Sequence, residues 1–274
     1  MTVLTTNHIM TLDHPIGRIL LSYQDIIVEK CDGIGIVTIN RPKVLNALSR
    51  NLYFELDTAI SNMELDSEVK VVIITGNGQR AFSAGADIHE MARLAKETDT
   101  SRTDSGKCVH QWHMAICKKP TIGAINGLAY GGGALMASSL DIRVGCENTS
   151  FKFLAASYGS VNSTWSLPMQ IGWPIAKELL LTARVVEADE AYRIGLLNHI
   201  VPSEQLMTKA LEIATQIASN DGRIVQGIKK LMIDAVGNEW SRAYQNEMDA
   251  QQNDLKPPPV LEGFKEFLDR KGMK

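Results

Sequence analysis

Two glycine-bearing segments hold the residues whose types and spacing could do chemistry. Gly131-Gly132-Gly133 stands between an apolar run and a small-residue stretch, and Ser83-Ala84-Gly85-Ala86-Asp87-Ile88 occupies a similar junction. Glycine lets a backbone approach a ligand closely, and N–H groups at the start of a helix point toward negative charge. Two such loops, each giving one backbone N–H to the same oxygen, form an oxyanion hole made of main chain. That arrangement suits a thioester carbonyl that becomes an enolate or a tetrahedral anion. The competing reading of the triplet is a tight packing turn between a strand and a helix. The dinucleotide fingerprint G-x-G-x-x-G is absent, and no Gly-Lys-Ser/Thr follows the triplet to make a P-loop.

The polar side chains that could accompany such a hole are Tyr130, Ser157, Tyr158, Asn162, Ser163 and Thr164. Tyr130 directly precedes the triplet; it either orients or protonates an acyl group, or is an aromatic pocket wall. Asn162 or Ser163 either holds a carboxylate or water, or caps its own loop. His110 and His113 share one helical face, but no third ligand at useful spacing supports zinc, so no metal is expected. That face reads as solvated or as an interface, and Lys118-Lys119 reads as a solvated turn. Cys31, Cys108, Cys117 and Cys146 are scattered without a C-x-x-C, which predicts reduced thiols and a cytoplasmic location.

The elements that must position these groups alternate in type. Apolar runs at 26–30 and 34–39 flank Asp32-Gly33 and predict a hairpin. Leu52, Leu56, Ile60 and Met63 recur at helical spacing within 49–63, and Val71-Val72-Ile73-Ile74-Thr75-Gly76 reads as a strand buried on both faces. A polar helix is predicted over 104–116, a strand over 121–125 leading to the triplet, and a short helix over 134–139. This alternation indicates an α/β core. After Pro202 the pattern is almost wholly helical to 235, followed by helices over 238–252 and 261–271. The expected organisation is an N-terminal extension over 1–24, a core carrying the site over 25–202 and a helical module over 203–274.

Composition narrows the function without naming it. The 274 residues carry 28 Lys+Arg against 31 Asp+Glu, a net charge of −3, which argues against a cationic nucleic-acid footprint. The longest apolar runs fall far short of the ~18 residues of a membrane-spanning helix. No membrane or nucleic-acid partner is expected.

Several motifs taken together resemble the crotonase (enoyl-CoA hydratase/isomerase) superfamily. They are Asn40-Arg41-Pro42-Lys43-Val44-Leu45-Asn46-Ala47-Leu48, then residues 81–88, then Lys119-Pro120-Thr121-Ile122-Gly123-Ala124-Ile125-Asn126-Gly127, and the triplet. Asp141-Ile142-Arg143, Lys177-Glu178-Leu179-Leu180-Leu181-Thr182 and Gly195-Leu196-Leu197-Asn198 continue the resemblance in order, so that it covers about 26–271. The resemblance implies a spiral of ββα units with a C-terminal helical trimerisation module, assembled as a homotrimer or homohexamer. It implies an acyl-CoA substrate whose carbonyl lies between the N–H groups of Ala86 and Gly132, with no cofactor beyond the CoA moiety. By the same carry-over Lys43, Leu45, Ala84, Asp87 and Ile88 line the CoA channel. His89 stands near the CoA phosphates, and Phe267 and Arg270 reach CoA from a neighbouring subunit. Gly131, Leu135, Leu154, Ala155 and Ser163 fall at substrate-facing positions.

Hydration of an enoyl thioester uses one carboxylate to activate water and another to protonate carbon. The resemblance places the two hydratase glutamates at positions that here carry Leu135 and Ala155, the latter in the pair Leu154-Ala155. The following loop, 158–168, offers Asn162-Ser163 where a dehalogenase-like branch has an Asp nucleophile. The expectation is therefore a divergent acyl-CoA enzyme that keeps the oxyanion hole and runs decarboxylase, isomerase or C–C hydrolase chemistry. The alternative is a catalytically silent acyl-CoA-binding or structural subunit.

Overall fold

The computed structural model describes residues 9–12, 19–98, 109–263 and 265–270. Strands β1 (Ile9–Leu12) and β2 (Ile19–Ser22) form an antiparallel hairpin inside the segment expected to be a plain extension. The hairpin predicted around Asp32-Gly33 is present as β3 (Ile26–Cys31) and β4 (Ile34–Ile39). Asp32 and Gly33 both take positive φ, 49° and 80°, as a tight two-residue hairpin turn demands.

Helix α1 (Arg50–Leu65) begins where Ser49 accepts the Leu52 N–H, and it buries Leu52, Leu56, Ala59, Ile60 and Met63. Each apolar side chain of this size contributes about 1.5–3 kcal/mol when fully buried. Strand β5 (Val71–Gly76) is buried throughout because its alternate residues serve two cores. Val72 and Ile74 join the core that holds α1, while Val71 and Ile73 face the opposite one.

The chain continues through β6 (Ala81–Ser83), α2 (Ile88–Thr98), α3 (Val109–Ile116), β7 (Thr121–Ile125), β8 (Leu128–Tyr130) and α4 (Gly132–Ser138). The predicted helix over 104–116 is described only from Val109, and Cys108 lies outside the described residues. Then come β9 (Ile142–Gly145), β10 (Ser150–Lys152), α5 (Leu167–Ile171), α6 (Trp173–Thr182), β11 (Val185–Glu187), α7 (Ala188–Arg193) and β12 (His199–Ile200). The six-stranded sheet runs β12-β9-β7-β5-β4-β3 and the four-stranded sheet β11-β10-β8-β6. Within these two sheets the pairings are parallel except β3 with β4 and β10 with β11. Phe82, Ala129 and Phe151 of the smaller sheet enter the same core as α1.

Two compact units divide the chain, Met1–Ser219 and Asn220–Lys274. The first extends beyond 202 because α8 (Leu206–Ala218) is built into it. Leu206, Ala210, Ile213, Ala214 and Ala218 pack on Ile34, Val71, Ile73, Ile122 and Val144. The helical run expected to reach 235 is broken at 219–221, where Asp221 accepts the Arg223 N–H and starts α9 (Gly222–Asp234). The second unit continues with α10 (Trp240–Gln252), and the stretch expected as the terminal helix is helical where it is described, as α11 (Val260–Gly263) and α12 (Lys265–Arg270).

Arg143 on β9 is fully buried and ties the end of the first core together. Its Nε donates to the Leu196 carbonyl at 2.6 Å, Nη1 to the Leu140 carbonyl at 2.5 Å and Nη2 to Gln170 Oε1 at 2.7 Å. Burial pushes its pKa down to about 10 against the opposing charge of Asp141, so it stays protonated near neutral pH. Replacing it removes the donor from two buried carbonyls and from the partly buried Gln170 amide. Arg143→Met is expected to destabilise the protein by about 3 kcal/mol or more, read as a lowered urea midpoint.

Candidate active site

The loop before α1 forms the frame of the site. Leu45 and Asn46 both take left-handed backbone conformations, φ 53° and 54°. The buried Asn46 amide secures them, accepting the Arg41 N–H at 3.0 Å and donating to the carbonyls of Asn77 at 3.1 Å and Ala81 at 2.8 Å. The carbonyl of Leu45 accepts the Ala84 N–H at 2.9 Å, and that of Asn46 accepts the Ser83 hydroxyl at 2.8 Å. Leu48 then pairs with the loop ahead of α2: its N–H donates to Gly85 at 2.7 Å and its carbonyl accepts from Asp87 at 3.0 Å. In a parallel bridge of this register the bonds belong to the neighbours of Ala86. The N–H of Ala86 itself faces away from Leu48.

Asp87 and Arg41 hold that orientation. One Asp87 oxygen accepts the Glu90 N–H at 3.1 Å and caps α2; the other accepts from the Arg41 guanidinium at 2.9 Å. Arg41 also reaches Asp25 at 3.3 Å and donates to the Ala47 carbonyl. Burial would raise the Asp87 pKa, but the Glu90 N–H and the Arg41 charge outweigh it and hold the carboxyl below its usual range.

The glycine triplet resolves into three separate requirements. Gly131 precedes α4 at φ 51°, ψ −116°, a conformation that L side chains rarely adopt. A Cβ on Gly132 would lie 3.0 Å from Leu48 Cδ1 and 3.2 Å from the Tyr53 hydroxyl oxygen. A Cβ on Gly133 would lie 2.3 Å from the Ser83 carbonyl, so that position is a packing contact between α4 and β6. The two loops meet at Gly85, where a Cβ would stand 2.6 Å from the Tyr130 carbonyl and 2.9 Å from the Gly132 nitrogen. From the other side, a Cβ on Gly132 would stand 3.7 Å from the Ala86 nitrogen. The amides of Ala86 and Gly132 are therefore neighbours, the arrangement an oxyanion hole requires. Gly132 opens α4, where N–H groups have no partner within the helix.

Of the side chains beside these amides, Leu48 and Leu154 are apolar and Tyr53 brings a hydroxyl. Leu154 lies 3.7 Å from where a Cβ of Gly131 would be, and Leu135 and Ala155 are half-buried, Ala155 at the start of the turn that follows β10. Tyr130 accepts a long hydrogen bond, 3.4 Å, from Ser150 on the neighbouring strand. Asn162 and Ser163 engage each other: the buried Ser163 hydroxyl donates to Asn162 Oδ1 at 3.2 Å, with Ser163 at φ 58°. Of the residues expected along a CoA channel, Leu45 and Ala84 are joined by their backbones, and Lys43, Ile88 and His89 are exposed nearby in sequence. Arg270 is exposed on α12, whereas the side chain of Phe267 lies outside the described residues.

Sequence reasoning missed a polar pair next to the hole. The Tyr53 hydroxyl, on α1, accepts from Gln111 Nε2 on α3 at 3.1 Å. Gln111 is 2% exposed, and its Oε1 has no hydrogen-bond partner among the described residues. Next to it Trp112 meets Trp165 edge-on, ring centroids 5.6 Å apart, which links α3 to the loop carrying Asn162. The face of α3 read as solvated or as an interface docks on α1 through His113; the side chain of His110 lies outside the described residues. The Nδ1 of His113 lies 2.7 Å from Asp57 and its Nε2 3.0 Å from Glu64. Lys119 is likewise no solvated turn residue: it is buried, and Nζ donates to the Val69 carbonyl at 2.6 Å.

Comparison with known proteins shows the family of the chain. Residues 29–274 match the family model for enoyl-CoA hydratase/isomerase. The chain belongs to that family. It is 40% identical over 203 residues to the short-chain-enoyl-CoA hydratase of Clostridium acetobutylicum, covering 73% of this chain and 77% of that one. It is 34% identical over 254 residues to the crotonyl-CoA hydratase of Syntrophomonas wolfei, covering 92% and 97%. The crystal structure of an enoyl-CoA hydratase from Bacillus anthracis superposes with a TM-score of 0.82 at 30% identity, over 90% of this chain and 97% of that one. The mixed α/β crotonase-like fold, with its helices gathered toward the C-terminus, is therefore that of the family.

Two expectations follow for this family member. Gly133→Ala forces α4 off β6 and should lower the unfolding midpoint, whereas Gly132→Ala should leave far more stability and act mainly on thioester binding. Denaturation and acyl-CoA titration of the two variants separate these outcomes. The His113 clamp titrates: burial opposes its charge, but the bonds to Glu64 and Asp57 outweigh burial and raise its pKa above 6.5. Its stabilisation is therefore complete below pH 6.5 and is lost as pH rises through the folded value. Glu64 goes the other way. Burial would raise its pKa, yet His113 and the Lys118 N–H hold it below 4.5, so its share is lost on acidification. The stability gap between wild type and His113→Gln, measured by urea denaturation, should be widest near pH 6 and narrow toward about pH 9.

Proposed function

We propose that this chain holds the carbonyl of an acyl-CoA thioester between the N–H groups of Ala86 and Gly132 and uses the hole for enolate chemistry other than two-carboxylate hydration. The observation that supports this reading is in the residues themselves: Leu154 lies beside Gly131, and the positions where the resemblance places the hydratase glutamates carry Leu135 and Ala155, which offer neither an acid nor a base. The nearest carboxylate along the α2 loop, Asp87, is engaged by Arg41 and by the cap of α2.

Decarboxylation makes the least demand on such a site. The bond between Cα and a carboxylate breaks, its electron pair moves into the thioester carbonyl, and CO₂ leaves. The enolate oxygen is then stabilised by two amides, each worth about 10²–10³ in rate in comparable holes. A proton added at Cα restores the thioester. Isomerisation or C–C hydrolysis would pass through the same kind of anion with a further base. A silent acyl-CoA-binding subunit is the second reading, supported by the same lack of acid and base side chains.

In this proposal Lys43, Leu45, Ala84, Ile88 and His89 border the CoA moiety, and Phe267 and Arg270 approach it from a neighbouring copy. Assembly as a trimer or hexamer is supported by the second compact unit, where Ile228, Met232, Trp240 and Tyr244 line an exposed apolar groove. Sedimentation should give a trimer or hexamer, and a strict monomer at micromolar concentration would count against it.

The relatives' names make crotonyl-CoA hydration the reaction to test against. Purified protein given 2-methylmalonyl-CoA, crotonyl-CoA and a β-keto acyl-CoA is expected to release CO₂ from the first faster than it hydrates the second. Rapid hydration of crotonyl-CoA would sink the decarboxylation reading. Binding of all three without turnover would favour the silent subunit.

A further inference from the structure

We infer that Arg41 is a positioning residue for the oxyanion hole, acting on the Ala86 N–H through two peptide units; this rests on the acyl-CoA reading above. The path runs through hydrogen bonds already in place. Arg41 Nη1 donates to the Ala47 carbonyl. The same peptide unit carries the Leu48 N–H, which donates to the Gly85 carbonyl at 2.7 Å. That second peptide unit carries the Ala86 N–H, one of the two that hold the thioester oxygen in the reading above. A trans peptide is planar, with its N–H pointing opposite to its C=O. The aim of the Ala86 N–H is therefore fixed by where the Leu48 N–H holds the Gly85 carbonyl. The aim of the Leu48 N–H is fixed in turn by where Arg41 holds the Ala47 carbonyl.

The guanidinium is mounted to deliver that bond. Its Nη2 donates to Asp87 at 2.9 Å, and its Nε lies 3.3 Å from Asp25. Asp25 is held in turn by the Ser49 hydroxyl and the Asn51 amide, both at 3.1 Å. The Arg41 backbone is pinned to Asn46 in both directions. Its N–H donates to Asn46 Oδ1 at 3.0 Å, and its carbonyl accepts the Asn46 N–H at 2.9 Å. The two carboxylates offset the guanidinium charge at long range, so what reaches Ala47 is the N–H itself, a charge-assisted donor in a fixed fork. In a chain of hydrogen bonds each member polarises the next, by about 10–30% per bond. On the far side of Ala86, the Asp87 N–H closes on the Leu48 carbonyl at 3.0 Å. Arg41 thus holds a residue at each end of the bridge, Ala47 before Leu48 and Asp87 after Ala86.

The other amide of the hole is placed by packing. Gly131 gives its N–H to the Lys152 carbonyl at 2.8 Å, and Gly133 lies against the Ser83 carbonyl with no space for a Cβ, so Gly132 is set from both sides. Loss of Arg41 therefore weakens one donor of the pair and spares the other. A separate tie joins the same two helix starts: the Glu90 carboxylate accepts the Arg50 N–H at 2.9 Å. That tie bypasses both peptide units.

The test is the infrared carbonyl stretch of butyryl-CoA, isotopically labelled at its carbonyl carbon and bound at saturation to the full chain. This thioester has neither a carboxylate to lose nor a double bond to hydrate. Wild type is expected to move the stretch below its frequency in water, because donors at the oxygen weaken the C=O bond. Arg41→Met should lose up to about half of that shift, the share of one donor of two. Arg41→Lys keeps a charge beside Asp25 and Asp87 but has no planar fork to reach Ala47 as well. It should stay folded by circular dichroism and lose a similar part of the shift. Glu90→Ala, which cuts the separate tie, should keep the full shift. Folded Arg41→Lys with the wild-type shift overturns the assignment and leaves the acyl-CoA reading intact. Glu90→Ala losing as much as the Arg41 variants also overturns it, because the loss then follows from loosening α1 against α2. Wild type that fails to bind butyryl-CoA, or binds it with an unshifted carbonyl, overturns the acyl-CoA reading and the assignment with it.

Discussion

The site depends on a single backbone crossing. Gly85 rests against the Tyr130 carbonyl and the Gly132 nitrogen with no space for a side chain between them. A methyl group at that crossing would push two loops apart and separate the amides of Ala86 and Gly132. Main-chain donors are rigid when both loops are bonded on their outer sides, and here they are. Leu48 holds one loop, and the Lys152 carbonyl accepts the Gly131 N–H of the other at 2.8 Å. Donors fixed in advance need no reorganisation when charge develops, which is where such holes derive their effect.

Around that crossing, the charged side chains act as structural ties. Glu55, buried on α1, accepts the N–H groups of Gln24 and Asp25 at 2.7 and 2.8 Å. Arg41 joins Asp25 and Asp87 and so links the bend before β3 to the start of α2. Lys119 closes on a backbone carbonyl, and Arg143 on two carbonyls and an amide. Such groups fix positions at some cost in desolvation, and they are unavailable for proton transfer while they do so.

Much of this was legible in the residues. The Asp-Gly hairpin, the α1 repeat capped by Ser49 and the two-faced β5 followed directly from pattern, because each is a local property of a short window. The two glycine loops were readable as candidates, but their convergence was not, since it depends on how β6, β8 and α4 stack. Lys119 and His113 read as surface residues because nothing in their own windows shows that a carbonyl or two carboxylates from α1 and its following turn will close on them. Tyr53 and Gln111 were invisible for the same reason. They are 58 positions apart, and each sits in a helix whose periodicity explains it as core or surface. The break at 219–221 was hidden by helical propensity on both sides of Asp221.

The triplet also has a consequence for how such a protein can change over time. Gly131, Gly132 and Gly133 are each held by a different neighbour, a turn, a pair of side chains and a strand, so drift at any of them meets a separate obstacle. Leu135, Leu154 and Ala155 have ordinary backbone conformations that any side chain can adopt. New chemistry can therefore be sampled one side chain at a time around an unchanging carbonyl cradle. The rigid and the variable parts of the site are separated by as little as one residue of chain, Ala134.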